Sequence, residues 1–286
     1  MTKIIACIDG SLAAAAVCDA ASWASLRLEA PLDLLHVLDK SEYLASADVQ
    51  NLSGNIGLGS REHLLEELVE IEEKRSRLAL EHGKAMLQDA RQHAREQGVV
   101  DVTTHQRHGS LIETLLDLQA ETRLLIIGRQ GETHGQQPYQ LGSHLENVIR
   151  SVHRPLLITL PDFAAPSSFM IAYDGSVTAS KSLEKVAESN LLRDLPCHLA
   201  MVAENDSQHQ SQLNAAAARL REAKFDVTTA LLQGEVQSAL YQYQQQKNID
   251  LMVMGAYGHS RIRQFLLGSN TAKMVRMSAI PLLILR

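Results

Sequence analysis

The stretch Ile4-Ile5-Ala6-Cys7-Ile8-Asp9-Gly10-Ser11 returns in the second half of the chain as Phe169-Met170-Ile171-Ala172-Tyr173-Asp174-Gly175-Ser176. Each copy is a short apolar run closed by Asp-Gly-Ser, which reads as a buried strand running into a tight turn and a helix start. Two more blocks repeat in the same order. Leu124-Leu125-Ile126-Ile127-Gly128 returns as Leu251-Met252-Val253-Met254-Gly255, and Arg154-Pro155-Leu156-Leu157-Ile158 as Ile280-Pro281-Leu282-Leu283-Ile284. Ordered self-similarity of this kind marks a duplicated unit.

Between the repeated blocks, apolar runs alternate with longer stretches of helical spacing. The runs are Ile4–Ile8, Leu32–Leu38, Val102–Arg107, Leu124–Ile127 and Leu156–Leu160, then Met170–Tyr173, His198–Ala203, Val227–Leu232, Leu251–Met254 and Leu282–Leu285. Helical spacing covers Ala13–Leu28, Ile112–Glu121, Leu183–Leu192, Ser211–Ala223 and Ser238–Lys247. Near-continuous apolar strands separated by helices predict an α/β fold, a parallel sheet covered on both faces, once per half. The Pro- and Ser-containing segment Pro161–Ser168 reads as the linker, which divides the chain into domains 1–162 and 167–286. The first domain carries an insertion, a Gly-containing loop (Asn51–Ser60) and then a charged helical stretch, Arg61–Gln97. Its stripe of Leu64, Leu68, Ile71 and Leu78, joined by Leu65, Val69, Ala79 and Met86, predicts a helix packed on its own sheet, with a partner-binding arm as the alternative.

The 286 residues suit two domains, and 45% hydrophobic with 21% charged residues describes an ordinary globular chain. A net charge of −6 without a Lys/Arg block argues against a nucleic-acid partner, which needs a basic face. Three cysteines, Cys7, Cys18 and Cys197, form no CxxC and fit a reducing cytoplasm. Ile4-Ile5-Ala6-Cys7 has the look of a lipoprotein cleavage site, but too few apolar residues precede it. No apolar run reaches the roughly 18 residues that a membrane helix requires.

The unusual residues gather where ligands bind in open α/β sheets, beyond the carboxyl ends of the strands. Asp9 and Asp174 each close a first strand. Such an Asp either caps the following helix or accepts hydrogen bonds from a ribose hydroxyl or base amine. After the fourth strand of the second half, Gly255-Ala256-Tyr257-Gly258 is followed, after nine intervening residues, by Gly268-Ser269. These glycines let backbone approach a ligand, and Gly268-Ser269 offers N–H groups and a hydroxyl suited to phosphate. Arg261 and Arg263 in that loop add charge.

Asp-Gly-Ser after strand one, the pair His36-Val37 ending strand two, and the spacing Gly-x2-Gly-x9-Gly-Ser together resemble the universal stress protein family, as a tandem two-domain member. The resemblance implies the adenine nucleotide alpha hydrolase-like fold, with five parallel strands in order 3-2-1-4-5. It implies ATP, with Mg2+ where the triphosphate carries one, or AMP or ADP. The ligand would be held by Asp174, Val202, Gly255, Gly258, Gly268 and Ser269, and in the first domain by Asp9, Val37, Gly128, Gly131, Gly142 and Ser143. It also implies pairing through the last strand, either between the two halves or in a homodimer, and a regulatory protein partner still to be identified.

The first domain departs from this pattern. Ten residues, including Glu132 and Pro138, separate Gly131 from Gly142, and Arg129 is the loop's one permanent cation. A carboxylate beside a triphosphate is unfavourable, and proline removes a backbone donor. The second domain instead lacks the His of strand two, reading Leu199-Ala200-Met201-Val202. No Gly-x4-Gly-Lys-Ser/Thr occurs, nor a Gly-x-Gly-x-x-Gly after the first strand, which sets aside P-loop ATPases and dinucleotide dehydrogenases. His105 and His108 fall on opposite faces of a strand and make a poor metal pair. Three classes stand: a nucleotide-binding regulatory module, a slow ATP hydrolase or phosphotransferase in the same pocket, and a scaffold acting through the long helix.

Overall fold

The computed structural model describes residues 2–38, 58–129, 145–255 and 274–286, with the side chains of residues 58–66 left aside. In the first half the strands are β1 (Lys3–Cys7), β2 (Leu32–Leu38), β3 (Val102–His108), β4 (Thr122–Gly128) and β5 (Leu156–Thr159). Those of the second are β6 (Phe169–Ala172), β7 (Cys197–Val202), β8 (Val227–Leu232), β9 (Leu251–Gly255) and β10 (Leu282–Leu285). The helices are α1 (Ala14–Leu28), α2 (Leu58–Glu96), α3 (Leu111–Asp117), α4 (Leu145–Ser151), α5 (Val177–Glu188), α6 (Ser207–Glu222) and α7 (Val236–Lys247).

All ten strands form one sheet, in the order β3-β2-β1-β4-β5-β10-β9-β6-β7-β8. Each half therefore has the expected order 3-2-1-4-5 with parallel pairing inside it. The halves meet at their last strands, which pair antiparallel with Leu282 opposite Ile158 and Ile284 opposite Leu156. Pairing through the last strand thus occurs inside one chain.

Alternate strand residues feed two apolar layers, as the two-residue period of a strand demands. Ile4, Ala6, Leu32, Leu34, Leu124 and Ile126 pack with α1, the end of α2, α5 and α6. Ile5, Leu35, Leu125 and Ile127 pack with α3, α4 and α7. Each layer runs through both halves without a break. Further links bind the halves: Trp23 of α1 lies 6.0 Å from Phe163 in the linker, and Arg276 Nη2 bonds Glu146 Oε1 at 2.5 Å. Arg27 donates to the carbonyls of Leu191 and Arg193. The linker is itself held, since Ser167 donates its N–H and hydroxyl to Asp250.

Several helices differ from the sequence expectation: α3 stops at Asp117 and a separate 3-10 turn follows at Gln119–Glu121, and α6 starts at Ser207 where Asp206 caps it. The α5 helix begins at Val177, several residues before the periodic stretch Leu183–Leu192, because Ser176 caps it. It ends at Glu188, so Leu191 and Leu192 are buried from a following turn. The long helix is present, with 39 residues from Leu58 to Glu96, and among its described side chains packing on the sheet is confined to the C-terminal part. There Leu87 and Ala94 are buried, and His93 Nε2 bonds Asp19 of α1 at 2.6 Å. Every residue from Val69 to Leu78 is exposed. Gly83 marks the closest approach: a Cβ there would run into Gln106 Nε2 of β3 and stand 2.6 Å from Cδ2 of His36.

Candidate functional site

In each half the helix after the first strand covers one face, and the connection into the fourth strand comes from the other. The switch point lies between β1 and β4 in the first half, and between β6 and β9 in the second. In open α/β sheets the carboxyl edge at such a switch point is where ligands bind. Ala172 is level with both Ala200 and Met254, so Asp174, Val202 and Gly255 arrive together at that edge. In the first half Cys7 is level with Leu35 and Ala6 with Ile126, which brings Asp9, Val37 and Gly128 to the equivalent place.

The turn after β6 is built by its own side chains. Asp174 Oδ1 accepts the Ser176 N–H at 3.0 Å, and Ser176 Oγ accepts the Ala179 N–H at 3.1 Å. Helix capping thus falls to the serine, and the aspartate closes a turn one step earlier. Its carboxylate is left exposed on the rim. Gly175 adopts φ +73°, a conformation that only glycine takes without cost, and a Cβ there would meet Gln212 Oε1 at 3.0 Å. The first half repeats the aspartate turn but not the serine cap: Ser11 donates its N–H and its hydroxyl to Asp9 Oδ1, at 3.1 and 2.5 Å, while α1 starts after Ala13 with no side-chain cap.

Gly255 has a packing duty that its position in the motif did not reveal. A Cβ there would sit 3.2 Å from Ser182 Oγ and 3.3 Å from Thr178 Cγ2, so its bareness draws α5 against the end of β9. Close helix packing and ligand approach both favour glycine at this point.

The difference at strand two also has a structural meaning. His36 is buried and its Nδ1 donates to the Ile8 carbonyl at 2.8 Å, tying the end of β2 to β1. Met201 takes the corresponding place, buried, with its Cε beside Gly175. Apolar packing there replaces a hydrogen bond. Val37 and Val202, one residue on, are both half-buried at the strand ends.

Arg129 is turned to another use. Its Nη1 donates to the Ser278 carbonyl of the second half at 2.6 Å, and its N–H to Thr159. The cation noted in the first glycine loop is engaged across the β5–β10 joint. Gly131, Gly142, Ser143, Gly258, Gly268, Ser269, Arg261, Arg263, Glu132 and Pro138 lie outside the described residues.

At the opposite edge stands a charged cluster. Asp33 is buried at the start of β2, with Lys3 Nζ 2.7 Å from Oδ2 and His105 Nδ1 2.5 Å from Oδ1. Thr103 Oγ1 donates to the same oxygen as His105, and Glu121 lies 3.2 Å from Lys3. Burial alone would raise the Asp33 carboxyl, but the bonds from Lys3 and His105 outweigh it and hold it below the usual carboxylate range. His105 is thereby accounted for by its hydrogen bond to Asp33. The three cysteine thiols are pushed up to about 12, chiefly by burial, which leaves them protonated and unreactive at neutral pH. Among the described residues no helix is long and apolar enough to cross a membrane.

The molecule is a duplicated, doubly wound α/β protein with an aspartate turn at the switch point of each half. A family profile described as the universal stress protein family matches residues 1–159 and 198–286. The chain is 36% identical over 288 residues to universal stress protein Slr1230 of Synechocystis, and the match covers 100% of both chains. A universal stress protein from Archaeoglobus fulgidus superposes with a TM-score of 0.70 at 17% identity, over 99% of this chain and 98% of the other. A putative universal stress protein from Pseudomonas aeruginosa superposes with a TM-score of 0.65 at 16% identity, covering 100% and 93%. The chain belongs to the universal stress protein family.

Proposed function

We propose that this protein binds an adenine nucleotide, ATP or its relatives ADP and AMP, chiefly in its second half. In this view it acts as a cytoplasmic stress-response regulator whose bound state other proteins read. The observation that carries the proposal is the Asp174-Gly175-Ser176 turn, which holds an exposed carboxylate at the switch point, level with Val202 and Gly255. A carboxylate there suits a ribose hydroxyl, and the glycine loop beginning at Gly255 suits phosphates, with Mg2+ where a triphosphate brings one. Domain boundaries at 1–162 and 167–286 go with this reading, each domain having its own site. The first site is the weaker one. Its loop is longer and holds Glu132 and Pro138, and the Arg129 guanidinium donates to Ser278.

The described part of the edge supplies backbone groups, a hydroxyl and a carboxylate, which position a ligand. Hydrolysis would need, in addition, a paired acid and base. Nucleotide released by denaturing the freshly purified protein, identified by mass spectrometry, tests the ligand directly. ATP at about 100 times its Kd should stabilise the fold by roughly 2.7 kcal/mol. Asp174→Ala should remove that stabilisation while leaving the melting temperature without ligand nearly unchanged, because Ser176 still caps α5. No response to any adenine nucleotide would defeat the proposal. Sustained ADP production abolished by Asp174→Ala would replace binding with catalysis. Gly268→Val should abolish calorimetric ATP binding, and Gly142→Val should affect it less; equal losses would remove the asymmetry between the halves.

A further inference from the structure

Helix α2 outruns the sheet that it packs on. At about 1.5 Å per residue its 39 residues span roughly 58 Å. Contact with the sheet begins near Leu80, whose carbonyl accepts from Gln106 of β3 at 3.4 Å, and Gly83, beside His36. The preceding segment keeps large apolar side chains in the open: Ile71 is 57% exposed and Leu78 62%. Leu68, Ile71 and Leu78 share one face, at the 3-4-3 spacing of a coiled-coil seam whose remaining place is taken by the long side chain of Arg75. Val69 is also exposed but points the other way round the helix.

The charges along this segment are sorted. Glu67, Glu70, Glu72 and Glu73 come first, and Lys74, Arg75 and Arg77 follow. Within the helix Lys74 reaches Glu70 at 3.6 Å, both well exposed. A helix acidic in its first part and basic in its second is complementary to itself when reversed. With Leu68 and Ile71 as successive seam positions, Glu67 and Lys74 flank the seam on the same side. An antiparallel pair that sets Leu68 against Ile71 of a second copy, twice by symmetry, also brings Glu67 alongside Lys74 of that copy, twice. A parallel pair would bring Glu67 against Glu72 instead, like charge on like. A two-fold, self-complementary contact also closes on itself, so it stops at a dimer.

We infer that the overhanging part of α2 is a dimerisation arm, pairing antiparallel with the same segment of a second copy of this chain through Leu68, Ile71, Glu67 and Lys74. The last-strand edges are already consumed by the β5–β10 joint within the chain, so this association uses a different surface. It is independent of nucleotide binding. The contact is a few helical turns long, which makes a weak, concentration-dependent dimer.

Sedimentation equilibrium of the full chain across a wide concentration range tests this, with circular dichroism to check folding. The native protein should show a monomer–dimer equilibrium. Ile71→Glu, on an exposed site, should stay folded and be monomeric throughout. Lys74→Glu turns two attractions into two repulsions and should weaken association about tenfold. The double variant Glu67→Lys with Lys74→Glu should restore it. A native chain that stays monomeric overturns the inference, as does a dimer that Ile71→Glu leaves intact. Failure of the double variant to recover association overturns the antiparallel pairing on which it rests.

Discussion

Asp33 shows what one buried charge demands of its neighbours. It sits at the first turn of the pleat in β2, where a strand of the pattern Leu-Asp-Leu-Leu would ordinarily bury only apolar groups. It is tolerated because Lys3, His105 and Thr103 converge on it from the strands on either side. Asp33→Asn, which removes the charge and keeps the shape, should cost about 2–3 kcal/mol at neutral pH, since Lys3 loses its main partner inside the fold. The sign with pH follows from the lowered carboxyl. Stability from this group is fully present above the unfolded carboxylate value and is lost as pH falls through the still lower folded value. Urea unfolding between neutral pH and pH about 3 should therefore show a smaller acid loss in Asp33→Asn than in the native chain. Equal losses would mean that the cluster carries no linkage. The same scale separates two aspartates that look alike in sequence: Asp33 holds the fold, whereas Asp174 stands exposed at the carboxyl edge.

At the scale of elements, Gly83 decides how α2 lies on β2 and β3. Glycine in a helix interior usually costs about 1 kcal/mol relative to alanine, so replacing it normally stabilises. Here the added Cβ would displace the Gln106 amide from its bond to Leu80 and press on the His36 ring, which its bond to the Ile8 carbonyl holds in place. Gly83→Ala should accordingly destabilise by about 1–2 kcal/mol, overpacking outweighing propensity. A gain in thermal stability would show that the ring can yield. The sequence announced this helix plainly through its apolar stripe, and it is present. Periodicity could not say where along its length the sheet runs out, because the stripe continues past that point. The same limit applies to Gly255, whose place after a strand signals an approach of backbone without naming what approaches.

For the whole molecule, the continuous apolar layers predict that the halves unfold together. Trp23, the only tryptophan, reports on the first half, where it packs against the linker. Leu199→Ala lies in β7 of the second half, fully buried, and should cost about 2–5 kcal/mol. The Trp23 fluorescence midpoint in urea should fall with that of the circular dichroism signal, by the same amount. A Trp23 transition left in place would show two halves that fold independently despite the β5–β10 pairing and the shared apolar layers.

Much of this protein is legible in its sequence because the signals are local and repeated. A strand buried on both faces must be continuously apolar, an Asp-Gly-Ser turn must follow where the chain reverses into a helix, and duplication writes each signal twice. Strand number, strand order by resemblance, and the convergence of Asp174, Val202 and Gly255 at one edge are within reach of such signals. Tertiary structure alone decided the rest. Arg129 bonds Ser278 across the joint, Met201 replaces His36 by packing, Asp33 is buried among strands far apart in the chain, and α2 projects beyond its sheet. Each depends on which surfaces meet across long sequence separations, and no local pattern encodes that.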